Sequence, residues 1–169
     1  MTDDIVRELG FLTLGTRLKR LGERLQAQTQ ELLQEAGIDV PASHMPLLAA
    51  LERLGPLSVG GIAQALGSSQ PGVTRQLAAL QALGLVDSAP SPGDLRQRTT
   101  SLTSSGRRLV QRAQRTAWPL VEAAVVHACG RSGSAMLGQL AALEDALTAS
   151  TLRQRSAALH SEADRHGRT

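Results

Sequence analysis

A run of residues from Leu57 to Gly106 limits this chain more than any other feature: LSVGGIAQALGSSQPGVTRQLAALQALGLVDSAPSPGDLRQRTTSLTSSG. Ile62, Ala63 and Leu66 recur at helical spacing and predict a short helix from about Val59 to Leu66. Gly67 should stop it, and Ser68 or Ser69 offers a hydroxyl to the free N–H groups of the next helix. Pro71 falls in that helix's first turn, where its missing N–H costs little. Val73, Leu77, Leu80 and Leu83 are its expected buried stripe, and Gly84 its end. Two helices joined so tightly make a helix-turn-helix, whose second helix suits a DNA major groove. Leu85-Val86 and the run from Arg98 to Thr103 favour strand, with Pro90, Pro92 and Gly93 between them, which predicts a hairpin wing.

The segment SSQPGVTRQLAALQALGLV, the Asp94-Leu95-Arg96 triplet at the wing tip, and Leu102-Thr103 leading to Gly106 together resemble the winged helix-turn-helix of the MarR family of bacterial transcription regulators. Asp-x-Arg means little alone; between a Thr-Arg helix and an L-T-x-x-G helix start it becomes specific. The resemblance is strong over this stretch and loose over the flanking helices. It implies a mainly α fold with a small β-hairpin wing, in which a winged lobe joins a helical dimerisation lobe. It also implies a homodimer on double-stranded DNA, most often a repressor. In such proteins a small-molecule effector settles between the lobes and changes the spacing of the recognition helices. Family effectors are often phenolic or aromatic acids, but Phe11 and Trp118 are the only aromatics here, so nothing supports stacking on such a ring.

Composition narrows the class further. Hydrophobic residues are 41% of 169 but aromatics 1%, so the core must be aliphatic, which suits packed helices. No stretch nears the roughly 20 apolar residues of a membrane span, and MTDDIVRELG starts acidic rather than basic. One cysteine, Cys129, excludes an internal disulfide. The expectation is a cytoplasmic protein. Net charge is +3, but its placement matters more. Arg75, Arg96, Arg98, Arg107, Arg108, Arg112 and Arg115 fall between Leu57 and Arg115, against only Asp87 and Asp94, which sign-matches the region to a phosphate backbone.

Outside the winged stretch the chain reads as helices. Residues 5 to about 36 predict one long helix with Leu14, Leu18, Leu21 and Leu25 in alternating steps of four and three. Ile5, Leu9 and Leu12 extend the stripe upstream. A second helix is expected over about His44 to Leu54. After the wing, a helix from about Ser105 to Cys129 should present Leu109, Ala113, Ala117, Leu120, Ala124 and Ala128 on one face and kink or break near Thr116, ahead of Pro119. A last helix from about Ser134 carries Met136, Leu140, Leu143 and Leu147, and the tail after Ser150 prolongs it or frays. The division expected is residues 1–36 with 104–169 as the dimerisation lobe and 37–103 as the DNA-binding lobe. The terminal stripes face nothing inside a winged lobe, and pairing with a second copy would cover them. A two-fold dimer sets its recognition helices about 34–36 Å apart and implies a pseudo-palindromic site.

The candidate DNA-contacting residues are set by side-chain chemistry. Ser69, Gln70, Thr74, Arg75 and Gln76 lie on the first half of the second helix. Gln can pair adenine, Arg can fork onto guanine, and Ser or Thr can reach a base or phosphate. Ser69 as a mere cap and Gln76 as a mere solvated residue are the plainer alternatives. By the resemblance, Arg96 is the minor-groove arginine and Asp94 braces the wing; an Asx turn after Pro92-Gly93 would equally explain Asp94. Strand alternation puts Arg98 on the face of Arg96. His44 and Trp118 are candidates for an effector cleft. Cys129 has no resolving partner and reads as a buried or incidental thiol.

No catalytic triad, carboxylate pair, phosphate loop or HExxH is present, and His44, His127, His160 and His166 are too scattered for a metal motif. No enzyme, cofactor or metal is expected. Two alternatives stand beside a ligand-responsive repressor: a constitutive DNA binder, and a winged domain used for protein contact.

Overall fold

The computed structural model describes residues 3–91 and 94–166, with side chains at all of these except 91, 94–97 and 162–166. The chain divides into two compact units, Met1–Glu122 and Ala123–Thr169. The first contains α1 (Ile5–Glu8), α2 (Leu14–Glu35), α3 (Met45–Leu54), α4 (Val59–Leu66), α5 (Gln70–Ala82), β1 (Val86–Ser91), β2 (Asp94–Leu102) and α6 (Ser104–Arg115). Helix α7 (Ala117–Cys129) begins in this unit; α8 (Gly133–Ala149) and α9 (Leu152–His166) belong to the second. The architecture is mainly α with one antiparallel hairpin. Among the described residues no helix is long and apolar enough to cross a membrane.

Three helices end by the same device. Gly37, Gly67 and Gly84 adopt left-handed backbone, at φ 68°, 59° and 65°. In each case the next residue's N–H reaches back five positions, from Ile38 to the Leu33 carbonyl, Ser68 to Ala63 and Leu85 to Leu80. These are Schellman stops, and two of them drive an apolar residue, Ile38 or Leu85, into the core beside the helix they end. Leu33, Ile38, Leu47, Leu48, Ile62, Leu80 and Val110 are fully buried, each contributing about 1.5–3 kcal/mol. Among the described residues the core is aliphatic but for Met45, with Trp118 packed at its edge, and Phe11 is 93% exposed.

Several details depart from the sequence reading. The first helix is not continuous: Gly10 takes φ 55°, a 3-10 turn occupies Gly10–Thr13, and the Thr13 hydroxyl donates to the Val6 carbonyl at 2.6 Å. Leu83, expected in the buried stripe of α5, is 53% exposed, because the Gly84 stop lifts it outward and places Leu85 in the core instead. The chain does break at Thr116, and Pro119 then sits harmlessly in the first turn of α7. The inward face of α6 is Gly106, Val110 and Ala113, continued by Ala117, rather than one led by Leu109. The break re-phases α7, leaving Leu120 58% exposed and Ala124 and Ala128 outward. The tail forms its own helix: Ser150 is extended (φ −154°, ψ 127°), and Thr151 and Gln154 exchange bonds as a capping box ahead of α9.

Candidate nucleic-acid interface

Helix α4 starts under the Ser58 hydroxyl, which accepts from the Gly61 N–H at 3.1 Å. After the Gly67 turn the Ser69 hydroxyl accepts from the Gly72 N–H at 3.3 Å and caps α5. Ser69 at the cap and Gln70, Thr74 and Arg75 on the first half of α5 are all exposed, with Arg75 opposite the buried Val73, Leu77 and Leu80. The Thr74 hydroxyl donates to the Gln70 carbonyl at 2.9 Å, leaving its lone pairs and methyl outward. Arg75 has no hydrogen-bond or ion-pair partner among the described residues, so its five donors are unspent. Gln76 differs: it is half-buried, and its Oε1 is enclosed without a partner.

The hairpin beside this helix is held at its base. Val86 pairs with Leu102 and the ladder runs in register to Pro90 opposite Arg98, then shifts so that Ser91 faces Asp94. Leu57 adds a bridge, with Leu57 and Thr100 exchanging N–H···O bonds at 3.0 and 2.7 Å. Gln81 of α5 donates to the Ser88 hydroxyl at 3.0 Å, which bonds the buried Thr100 hydroxyl at 2.9 Å. The recognition-type helix and the wing are thus joined by a polar chain. Arg98 donates to the Ser88 carbonyl and so lies back along the hairpin. The side chains of Arg96 and Asp94 lie outside the described residues.

A second feature is a cavity of about 450 Å³ whose walls include Leu33, Met45, Ala49, Trp118 and Val121, with Gln26 and Glu122 as polar groups. Trp118 lines it; His44 does not, although its neighbours Met45 and Pro46 do. The other lining residues carry no mark in the sequence, because they come from α2, the turn before α3, α3 and α7 and share no local pattern. His44 is half-buried with its Nδ1 enclosed and unpartnered, and burial pushes its imidazole below the ordinary value of 6.5. Below that value the unfolded chain takes up a proton before the folded one does, so acid favours unfolding. Between pH 7 and pH 5 the wild-type Tm should therefore fall more steeply than that of His44→Gln. Parallel slopes in thermal denaturation would discard burial of this ring as a source of acid sensitivity.

Two helices at a tight turn, a capped second helix with an exposed polar front, and a hairpin tied to its side define a winged helix-turn-helix protein. The family model described as MarR family matches residues 38–97, which take in α3 to α5 and most of the wing. Over that winged segment, about a third of its length, the chain is similar to the MarR family. It is 37% identical over 76 residues, 45% of this chain, to an HTH-type transcriptional regulator of Mycobacterium tuberculosis. That match spans 53% of the regulator, so the chain covers about half the length of the curated relative it matches. Among solved structures it is similar to the transcriptional repressor CouR bound to a 23-mer DNA duplex, with 27% identity, 80% of this chain and 96% of that one covered, and a TM-score of 0.68. The S. aureus MepR–DNA complex shares the fold at 21% identity, covering 80% of this chain and 98% of that one, with a TM-score of 0.69. The M. tuberculosis relative is a transcriptional regulator and CouR a transcriptional repressor.

Proposed function

We propose that this protein is a dimeric, sequence-specific DNA-binding transcription regulator, a repressor that responds to a small molecule and reads a pseudo-palindromic operator. The observation carrying this reading is the exposed Gln70, Thr74 and Arg75 face at the front of a capped helix beside the wing. The likeness to CouR, which is bound to a DNA duplex, supports it. In this reading Arg75 forks onto a base, Gln70 and Thr74 add base or phosphate contacts, and the Ser69 end of the helix faces phosphate. Arg96 enters the minor groove, with Asp94 bracing it. Arg98 stiffens the hairpin through the Ser88 carbonyl.

Residues 1–36 and 104–169 serve as the dimerisation lobe and 37–103 as the DNA-binding lobe. Exposed apolar side chains at Leu18, Leu21 and Leu25 on α2, with Ile5, Leu9 and Leu12 ahead of it, give a second copy an apolar surface to dock on. The cavity beside Trp118 holds the effector. An effector held there releases DNA only if it binds the DNA-incompetent arrangement more tightly.

The test is titration of a duplex from the DNA flanking the protein's own coding region, at several salt concentrations, with light scattering for stoichiometry. Two chains per site and an affinity falling roughly 10³-fold or more between 50 and 200 mM salt are expected for six or more phosphate contacts. A salt-insensitive affinity, or a single chain per duplex, would favour the protein-contact reading and end this one.

A further inference from the structure

A basic groove on α6 is separate from both features above. Arg108, Arg112 and Arg115 succeed one another in steps of four and three, which brings all three guanidiniums to one side of the helix over about 10 Å. They line a concavity of about 510 Å³ whose apolar floor is Leu85 and Leu109 and whose polar edge includes Ser105. No carboxylate lines it, and among the described residues none of the three arginines has an ion-pair partner. Arg108 donates to the Ser105 hydroxyl at 3.0 Å and Arg112 to the Gly37 carbonyl, so two of the three are held in place by neutral groups only. Like charges at this spacing repel, and nothing among the lining residues neutralises them.

The groove is also turned away from the duplex that the proposed function requires. Leu85 follows the C-terminal end of α5, about 19 Å along the helix from the Ser69 end that faces DNA. It likewise lies at the base of the hairpin, the full length of β1 from the tip. We propose that this groove is a binding site for a small organic polyanion, a molecule with two or more carboxylate or phosphate groups on a short apolar frame. The arginines take the oxyanions in forked geometry, and Leu85 and Leu109 take the frame. Because the groove touches Leu85 in the turn that stops α5 and, through Arg112, Gly37 in the turn that stops α2, an occupant would bear on both helix ends. Such a site would bind its ligand whether or not the chain binds DNA.

The test is calorimetric titration of the full chain, without DNA, with citrate and with pyrophosphate, and with acetate as the monovalent control. Wild type should bind at least one of the two polyanions and bind acetate at least tenfold more weakly. Citrate alone would mark a carboxylate ligand, pyrophosphate alone a phosphate one. The double variant Arg108→Gln/Arg115→Gln, both at exposed positions, should lose at least tenfold in affinity at unchanged Tm, while Arg153→Gln should bind as wild type does. Absent binding, equal binding of acetate, or equal affinity in the double variant would overturn the proposal. So would a double variant whose only defect is weaker DNA binding with a shallower salt dependence, since that would make the groove a backbone contact.

Discussion

Gly106→Ala is expected to destabilise the protein by about 3 kcal/mol, roughly 6–12 °C in Tm, although alanine is the better helix former by about 1 kcal/mol. A Cβ at this position would sit 2.1 Å from the Leu85 carbonyl oxygen and 3.3 Å from the Leu102 side chain. The oxygen cannot move aside cheaply. It accepts from the Thr103 N–H at 3.0 Å, while the Leu85 N–H closes the end of α5 by bonding Leu80. Relief of the clash therefore breaks either the start of α6 or the stop of α5. Gly84→Ala is the informative comparison. That residue has φ 65° with nothing within 4 Å of its Cβ, so only the left-handed backbone is penalised, by about 1–2 kcal/mol. Denaturant unfolding of both variants checks the order, and a Gly106→Ala protein as stable as Gly84→Ala would refute the close approach of α6 to Leu85.

The second large effect is on DNA rather than on folding. Arg75→Ala should weaken operator binding by about 1–3 kcal/mol, roughly 5- to 150-fold, while stability stays within about 0.5 kcal/mol of wild type. The residue is exposed, without a protein partner among the described residues, and on the opposite side of α5 from its buried stripe. Arg75→Lys keeps the charge but not the planar fork, so it should restore general affinity for DNA more than it restores discrimination between operator and a scrambled duplex. Competition titrations at fixed salt measure both quantities. An alanine variant that binds operator and scrambled DNA as wild type does would remove Arg75 from the interface.

The winged stretch is legible in the sequence because its signals are local. Ser69, Pro71, Gly67 and Gly84 each act through a backbone demand within a few residues, and α4 lies where the spacing of Ile62, Ala63 and Leu66 predicts it. Sequence and structure part where a local break resets a periodic pattern. The stripe through Leu14 to Leu25 is sound, but its extension through Gly10 assumes a helix that Gly10 ends. Periodicity carries α5 one residue too far and puts Leu83 inside in place of Leu85, because a left-handed glycine shifts the inward register by one step. The phase of α6 is set by Gly106 against Leu85, a contact between residues far apart in sequence, so no spacing rule could favour Val110 over Leu109. The basic character around Arg108 to Arg115 is plain from composition; its curvature around Leu85 is not. The cavity beside Trp118 draws its walls from α2, the turn before α3, α3 and α7, and of these residues only Trp118 stands out in the sequence.

The linkage Gln81–Ser88–Thr100 has a mechanical corollary. With the Leu57 bridge closing the same ladder, helix and hairpin form one stiff reading head, so neither can tilt without cutting hydrogen bonds. For the signal-responsive dimer proposed above, bending the head itself would gain little, and the cheaper motion would carry two intact heads apart or together, with the hinge outside the helix and hairpin base that these bonds join. Substitutions that tune the response without altering sequence preference should then cluster in the flanking helices.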